Sequence, residues 1–282
     1  MNDAVKNVVR QISPPILIDL ARTIFQREKQ TALKTQHEHR NRSARQNEII
    51  LRESLVLKLH PASRHGFEYF CYRSPDCVEE MDIFIQQTRD KSRLLDIGAL
   101  HGIFSLAFTV GHPDKRVVAV DASPVAFARL LYNIHKNGLR NVTPVECAMS
   151  DSPGELRMHY EWEHAVAAEV RDSGQSFLTV EKRTGDDLCQ SLSFAPDAIK
   201  IDVEGHEVKV LKGLSHVIER HRPLIFLELH PTRISDEKDS IEDMLNYLAA
   251  KRYRITSMDS RNLPIHDAGQ LTQLQRLLLI PS

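Results

Sequence analysis

No stretch of this sequence reaches the roughly 18 consecutive apolar residues that a membrane-spanning helix requires, so no transmembrane span is expected. The N-terminus, MNDAVKNVVRQISPP, has no long apolar core and does not read as a signal peptide. No Cys-x-x-Cys pair occurs. Cys71, Cys77, Cys147 and Cys189 are scattered, which argues against a zinc site or a redox motif and suits a reducing, cytoplasmic compartment. A charge excess is missing as well. The formal net charge is −1, which gives no electrostatic basis for binding nucleic acid or an anionic membrane. Basic clusters such as HEHRNRSARQNE are diluted by acids. Asn41 and Asn141 sit in N-x-S/T triplets, which arise by chance and which a cytoplasmic protein would not use. Internal repeats and low-complexity blocks are absent. What remains is 282 residues, 41% of them hydrophobic, enough for one large core or one domain with an extension.

The first 60 or so residues are rich in charged and long side chains. PPILIDLARTIFQREKQTALKTQ carries apolar residues at helical spacing after Pro14 and Pro15. RQNEIILRESLVLKL predicts a second helix, or a helix followed by a strand, ended by Pro61. GFEYFCYRSP has strand-like aromatic content, and CVEEMDIFIQQTRDK returns to a helical pattern. From residue 93 the rhythm changes. RLLDIGA, RVVAVDAS, VTPVECAMS, DAIKIDVEG and PLIFLELHP predict strands, with helices at IFSLAFTV, PVAFARLLYNIHKNG and 206–221 between them. Ser123, Pro124 and Gly138 fit the N-cap, first turn and C-terminal side of the helix they enclose. SIEDMLNYLAAKRY predicts a helix, RITSMDS and QRLLLIPS two last strands, and GELRMHYEW and SFLTVEKR extra strands in an insertion. Alternating strands and helices imply an α/β fold, with a mainly parallel sheet covered on both faces. Ligands of such sheets bind beyond the carboxyl ends of the strands.

Two segments at those ends carry chemistry. In DIGALHG, residues 96–102, a strand enters a turn with Gly98 and Gly102 and then a helix; glycine lets backbone approach a ligand closely. The G-x-G-x-x-G fingerprint is absent, with Leu100 in the place of a middle glycine, which weakens a dinucleotide reading. A bare strand–helix turn with no ligand is the plain alternative. Asp121 follows Gly98 by 23 residues, at the end of the second strand, where an acidic residue pairs with ribose hydroxyls in nucleotide-binding α/β folds. Ser123 fits the helix cap better than Asp121 does, so the ribose role is favoured.

LLDIGALHGIFSL, VVAVDASP, ECAMSD, IKIDVEGHEVKVLKG and LIFLELHP together resemble the FkbM-type family of S-adenosylmethionine-dependent methyltransferases, over about residues 65–280. Leu100 departs from the asparagine usual in that family. The resemblance implies a Rossmann-like class I fold: a seven-stranded, mainly parallel sheet with helices on both faces and a reversed last strand. It leaves residues 1–64 as an N-terminal helical extension, acting as a lid or a contact in a homodimer, before a domain spanning 65–282. It also implies a cofactor site. Asp96, Gly98, Ala99 and Gly102 would shape the loop near the methionine part, and Asp121 would hold the ribose with Ala122 and Ser123 beside it. Ala148 and Met149 would flank adenine, with Glu146 near; core packing explains Ala148 and Met149 equally well. Characterised members are mostly O-methyltransferases of sugars and complex natural products.

A hydroxyl becomes a good nucleophile only as its proton leaves, and a carboxylate or imidazole within hydrogen-bond reach can take that proton. Asp202 and Glu204 end one strand, Glu228 and His230 the next, and a period of two sends each pair to one side. These four are the candidate catalytic residues. Glu207 is read as a favourable acid in a first helical turn, His206 as a cap of the same helix, and His230, before Pro231, as a residue that could simply close a turn. A divalent metal could acidify the hydroxyl instead, but no further pattern of acids supports one, so a metal-free base is favoured and no metal ligand is assigned. Two rivals stand against an O-methyltransferase: a nicotinamide-dependent oxidoreductase, and a degenerate cofactor-binding module that serves a partner.

Overall fold

The computed structural model describes residues 47–51, 55–161, 164–167, 177–236 and 239–282. The helical pattern expected in PPILIDLARTIFQREKQTALKTQ lies outside the described residues. In chain order the elements are β1 (Glu48–Leu51), β2 (Leu55–Lys58), α1 (Pro75–Gln87), β3 (Arg93–Ile97), α2 (Ile103–Thr109), β4 (Arg116–Asp121), α3 (Pro124–Lys136), β5 (Val142–Glu146), β6 (Ala148–Met149), β7 (Gly154–Glu161), β8 (His164–Ala167), β9 (Phe177–Arg183), α4 (Gly185–Ser191), β10 (Ala198–Ile201), α5 (Glu207–Gly213), α6 (Ser215–His221), β11 (Leu224–Leu229), α7 (Pro231–Asp236), α8 (Ile241–Ala250), β12 (Tyr253–Ser257) and β13 (Gln275–Pro281).

Seven of these strands form the central sheet, in the order β12-β13-β11-β10-β3-β4-β5. β10, β3, β4, β5 and β11 run parallel. β13 runs antiparallel to both of its neighbours. This is the expected seven-stranded sheet with a reversed last strand. Every residue of β10 and β11 is buried, as expected of central strands covered on both faces. Two hydrophobic clusters hold the layers. One gathers Ile201, Val208, Leu211 and Leu248, the other Phe84, Leu106, Phe108 and Phe226. The cap signals of α3 read as expected: Ser123 Oγ accepts the Ala126 N–H at 3.3 Å, and Pro124 follows it in the first turn.

Three local expectations need correcting. Glu48–Leu51 and Leu55–Lys58 pair as antiparallel strands, β1 and β2, so the first part of the expected helix, or helix followed by a strand, is a strand instead. Ile49, Leu51, Leu57 and Leu59 alternate inward and share one buried cluster with Phe67, Leu94 and Phe104, so tertiary burial overrides the helical spacing. The aromatic stretch predicted as a strand is helical, Arg64–Glu68 running into a π-turn at Tyr69–Arg73; its rings fill gaps between layers, Phe70 standing edge-on to Phe104 at 5.3 Å. The helix expected over 206–221 is two short ones, α5 and α6, with fully buried Leu214 at the joint. The insertion forms a second, four-stranded sheet, β6-β9-β7-β8. It splits the predicted third strand, since β5 belongs to the central sheet and β6 to the smaller one.

Candidate active site

The crevice at the carboxyl ends of β3, β4 and β10 is lined by Ile97, Gly98, Leu100, Asp121, Ala122 and Ser123 on one side, and by Asp202, Val203, Glu204 and His206 on another. Cys147, Ala148 and Met149 add a third wall, and Leu156 and Met158 from β7 a fourth. Of the residues expected around the cofactor, Gly98, Asp121, Ala122, Ser123, Ala148 and Met149 therefore share one space. Asp96, Ala99, Gly102 and Glu146 do not line it. Asp96 is 1% exposed and accepts the Ser105 hydroxyl at 2.6 Å, and burial pushes its pKa to about 6. Ala99 is buried, Gly102 precedes α2 with φ +86°, and Glu146 is exposed at the end of β5.

The loop after β3 is shaped by the chain itself. Gly98 has φ +77°, and a Cβ there would sit 1.7 Å from the carbonyl oxygen of Asp202. The close approach that demands glycine is thus to the end of β10 and not only to a ligand. Leu100 holds φ +50°, the left-handed region, and its N–H donates to Asp121 Oδ2 at 2.7 Å. Ser123 N–H donates to Asp121 Oδ1 at 2.8 Å. Two backbone amides therefore fix this carboxylate at the crevice wall.

The candidate catalytic residues converge, in two layers. Asp202, Glu228 and His230 each bring a ligand-type atom within 4.8 Å of one another. Asp202 lines the crevice with its side chain 29% exposed, whereas Glu228 lies behind it. Burial raises the pKa of Asp202, and the Lys200 ammonium beside it opposes that rise. Glu204 owes its direction to a turn and not to a strand's period of two. β10 ends at Ile201, and Glu204 has φ +55°. Its Oε2 lies 2.8 Å from Arg233 Nη1 and 3.1 Å from His230 Nε2. His230 Nδ1 meets Glu207 Oε1 at 2.8 Å, and that same oxygen accepts the Gly205 N–H at 2.9 Å. Glu207, in the first turn of α5, is fully buried as the anchor of this turn. His206 precedes α5 without capping it, and its Nε2 lies 3.0 Å from Ser150 Oγ.

Behind this layer sit residues that the sequence did not flag. Lys200, in the middle of β10, is 1% exposed. Its Nζ lies 3.4 Å from Glu80 Oε1, 3.6 Å from Asp202 Oδ2 and 3.8 Å from Glu228 Oε2, and 4.9 Å from the Phe104 ring centroid. Burial works against its charge, but the three carboxylates outweigh burial and raise its pKa. Arg276 of β13 closes the group, 2.6 Å from Glu80 Oε2 and 3.3 Å from Glu228 Oε1. A lysine inside a fully buried strand was the one available signal, since a buried charge is costly without partners. Glu80 and Arg276 are 196 positions apart and carried no local sign. The donor set suits this internal pairing better than a metal: Lys200 and Arg276 both pair with Glu80 and Glu228, Lys200 also pairs with Asp202, and both ring nitrogens of His230 face carboxylates.

A strand order with one reversed strand next to the edge, and a crevice whose walls carry Asp121 on one strand end and Asp202 on another, define the class I methyltransferase architecture. The methyltransferase FkbM domain matches residues 96–255, more than half of the chain. The chain belongs to this family of S-adenosylmethionine-dependent methyltransferases. It is 26% identical over 165 residues to the hexuronic acid methyltransferase AglP of Haloferax volcanii, covering 56% of this chain and 66% of that protein. It is 28% identical over 167 residues to the methyltransferase sdnD of Sordaria araneosa, covering 47% of this chain and 62% of that protein. The chain thus spans less than two thirds of the length of either relative. A crystal structure of the FkbM methyltransferase of Methylobacillus flagellatus aligns with a TM-score of 0.45 at 22% identity, over 67% of this chain and 44% of that one. Among the described residues, no helix is long and apolar enough to cross a membrane.

Proposed function

We propose that this protein methylates a hydroxyl oxygen of a sugar, a glycan or a complex natural product. The observation that carries the reading is the shared crevice, with Asp121 on one wall and Asp202 on the other. The residues present suit the cofactor: an amide-fixed carboxylate for ribose hydroxyls, and the apolar surfaces of Ala148, Met149 and Met158 for a flat ring. S-adenosylmethionine, when bound, supplies an electrophilic methyl group, so the protein's task is mainly to place a nucleophile in line with it. Asp202 is the proposed base. It would take the proton of the hydroxyl that receives the methyl group. Lys200 opposes the rise that burial gives the pKa of Asp202 and so favours its carboxylate form. The Haloferax relative is a hexuronic acid methyltransferase, which makes uronic acid glycosides the first acceptors to try. The β1–β2 hairpin packs into the domain core, so of the expected 1–64 extension only the stretch before β1 is proposed as part of a lid or a homodimer contact.

Labelled methyl transfer to a panel of hydroxylated glycosides, glucuronides among them, tests this. Wild type should label at least one, and Asp202→Asn should lose on the order of 10²–10⁴ in single-turnover rate while keeping the cofactor. Near-normal turnover in Asp202→Asn would make the cluster structural.

A further inference from the structure

Glu204 and His230 both lie near the crevice with carboxylates and an imidazole in reach, and either could be taken for a base. Their contacts assign them other work. A neutral imidazole has one N–H and one lone pair. Here Nδ1 lies 2.8 Å from Glu207 Oε1 and Nε2 lies 3.1 Å from Glu204 Oε2. A lone pair on Nδ1 would point at Glu207 Oε1 and be repelled, and the Glu204 carboxylate beside Nε2 favours a proton there too, so both neighbours favour the doubly protonated ring. Such a ring has no site left to accept a proton.

Glu204, in turn, is held in a costly backbone. Its φ is +55°, and strain of this kind persists only where the surroundings over-determine it. The surroundings do so at four points. Gly205, φ +112°, has no room for a Cβ, which would stand 2.6 Å from Arg233 Cβ. Its N–H is held by Glu207. Arg233 and His230 grip Glu204 Oε2. Among the described residues Glu204 Oε1 has no partner, and the side chain lines the crevice at 32% exposure.

We propose that His230, as an imidazolium bridging Glu207 and Glu204, is a positioning residue that fixes Glu204 so that its second oxygen receives a polar group of the acceptor in the crevice. This rests on the methyltransferase reading of the site and adds a second acceptor contact to the one at Asp202. The groups facing His230 are Glu207 from α5, Asp202 and Glu204 from the β10–α5 turn, Arg233 from α7 and Glu228 from its own strand. Burial lowers the tendency of His230 to hold a proton, but the Glu207 hydrogen bond and the charges of Glu204, Glu207 and Asp202 outweigh it and raise its pKa.

Nitrogen-15 NMR of the full-length protein, labelled in histidine, reads the ring directly. At pH 7 both His230 nitrogens should resonate as protonated, and the signal should titrate above the ordinary histidine range of about 6.5. Glu204→Gln, which changes a solvent-accessible side chain and should fold, should lower that midpoint by at least about one pH unit, a tenfold change in proton affinity. Glu207→Gln should lower it further. One unprotonated nitrogen at pH 7, or a midpoint unmoved by Glu204→Gln, would overturn the assignment. Failure of the methyltransferase reading would show separately, as wild-type protein that does not bind S-adenosylmethionine.

Discussion

At the scale of single residues, the site is built from groups kept out of their preferred states. Leu100 sits in left-handed backbone, which costs an ordinary side chain roughly 1–2 kcal/mol and costs asparagine less. Leu100→Asn keeps the N–H that holds Asp121 and should raise the melting temperature by about 2–4 °C for each kcal/mol of strain relieved; a lower melting temperature would mean that the leucine side chain contributes more by packing than its backbone costs. Asp96 gives a pH effect. Its folded pKa, about 6, lies above its unfolded value, so between about pH 4 and 6 the folded state holds more protons than the unfolded one. Stability from this group is therefore present at the acid end and lost as pH rises through that window, by roughly 3 kcal/mol in full. Denaturant titrations should show Asp96→Asn with a smaller decline than wild type from pH 4 to 7; parallel curves would place the proton elsewhere.

At the scale of elements, what was legible and what was not follows from where the information lies. β3, β4, β10 and β11 announced themselves as short apolar runs ending in turn residues, and Ser123, Pro124 and Gly138 marked α3 locally. The β1–β2 hairpin did not, because Ile49, Ile50, Leu51, Leu55 and Leu57 satisfy a helical and a strand spacing alike, and only the core that buries them decides. Leu57 is fully buried, so Leu57→Ala should destabilise the domain by about 2–5 kcal/mol in equilibrium unfolding; a cost below half a kcal/mol would mean the hairpin is not integral to the fold. The ionic group joining α1, β10, β11 and β13 was invisible for the opposite reason. Glu228 stood out at a strand end and Lys200 inside a buried strand, but Glu80 and Arg276 are ordinary in sequence, and the four meet only in three dimensions. Lys200→Met strands Glu80 and Glu228 in the interior and should cost about 3–5 kcal/mol, as breaking a buried pair does. A neutral effect on the same unfolding curves would show that Arg276 alone suffices.

At the scale of the whole molecule, the reversed β13 brings Arg276 behind β11, the insertion brings Leu156 and Met158 over the crevice, and the turns after β3 and β10 interlock through Gly98 and Asp202. The proposed cofactor wall and the proposed acceptor wall are therefore two faces of one turn-on-turn contact. Family membership sets aside the nicotinamide reading suggested as a rival by the alternating strands. The most direct test of this arrangement is a calorimetric titration of S-adenosylmethionine into wild type and Asp121→Ala. The account predicts one binding site in the wild type and a loss of about 1–3 kcal/mol in the variant, as for a hydrogen bond to a charged group. Wild-type protein that does not bind, or a variant that binds as tightly as wild type, would contradict it.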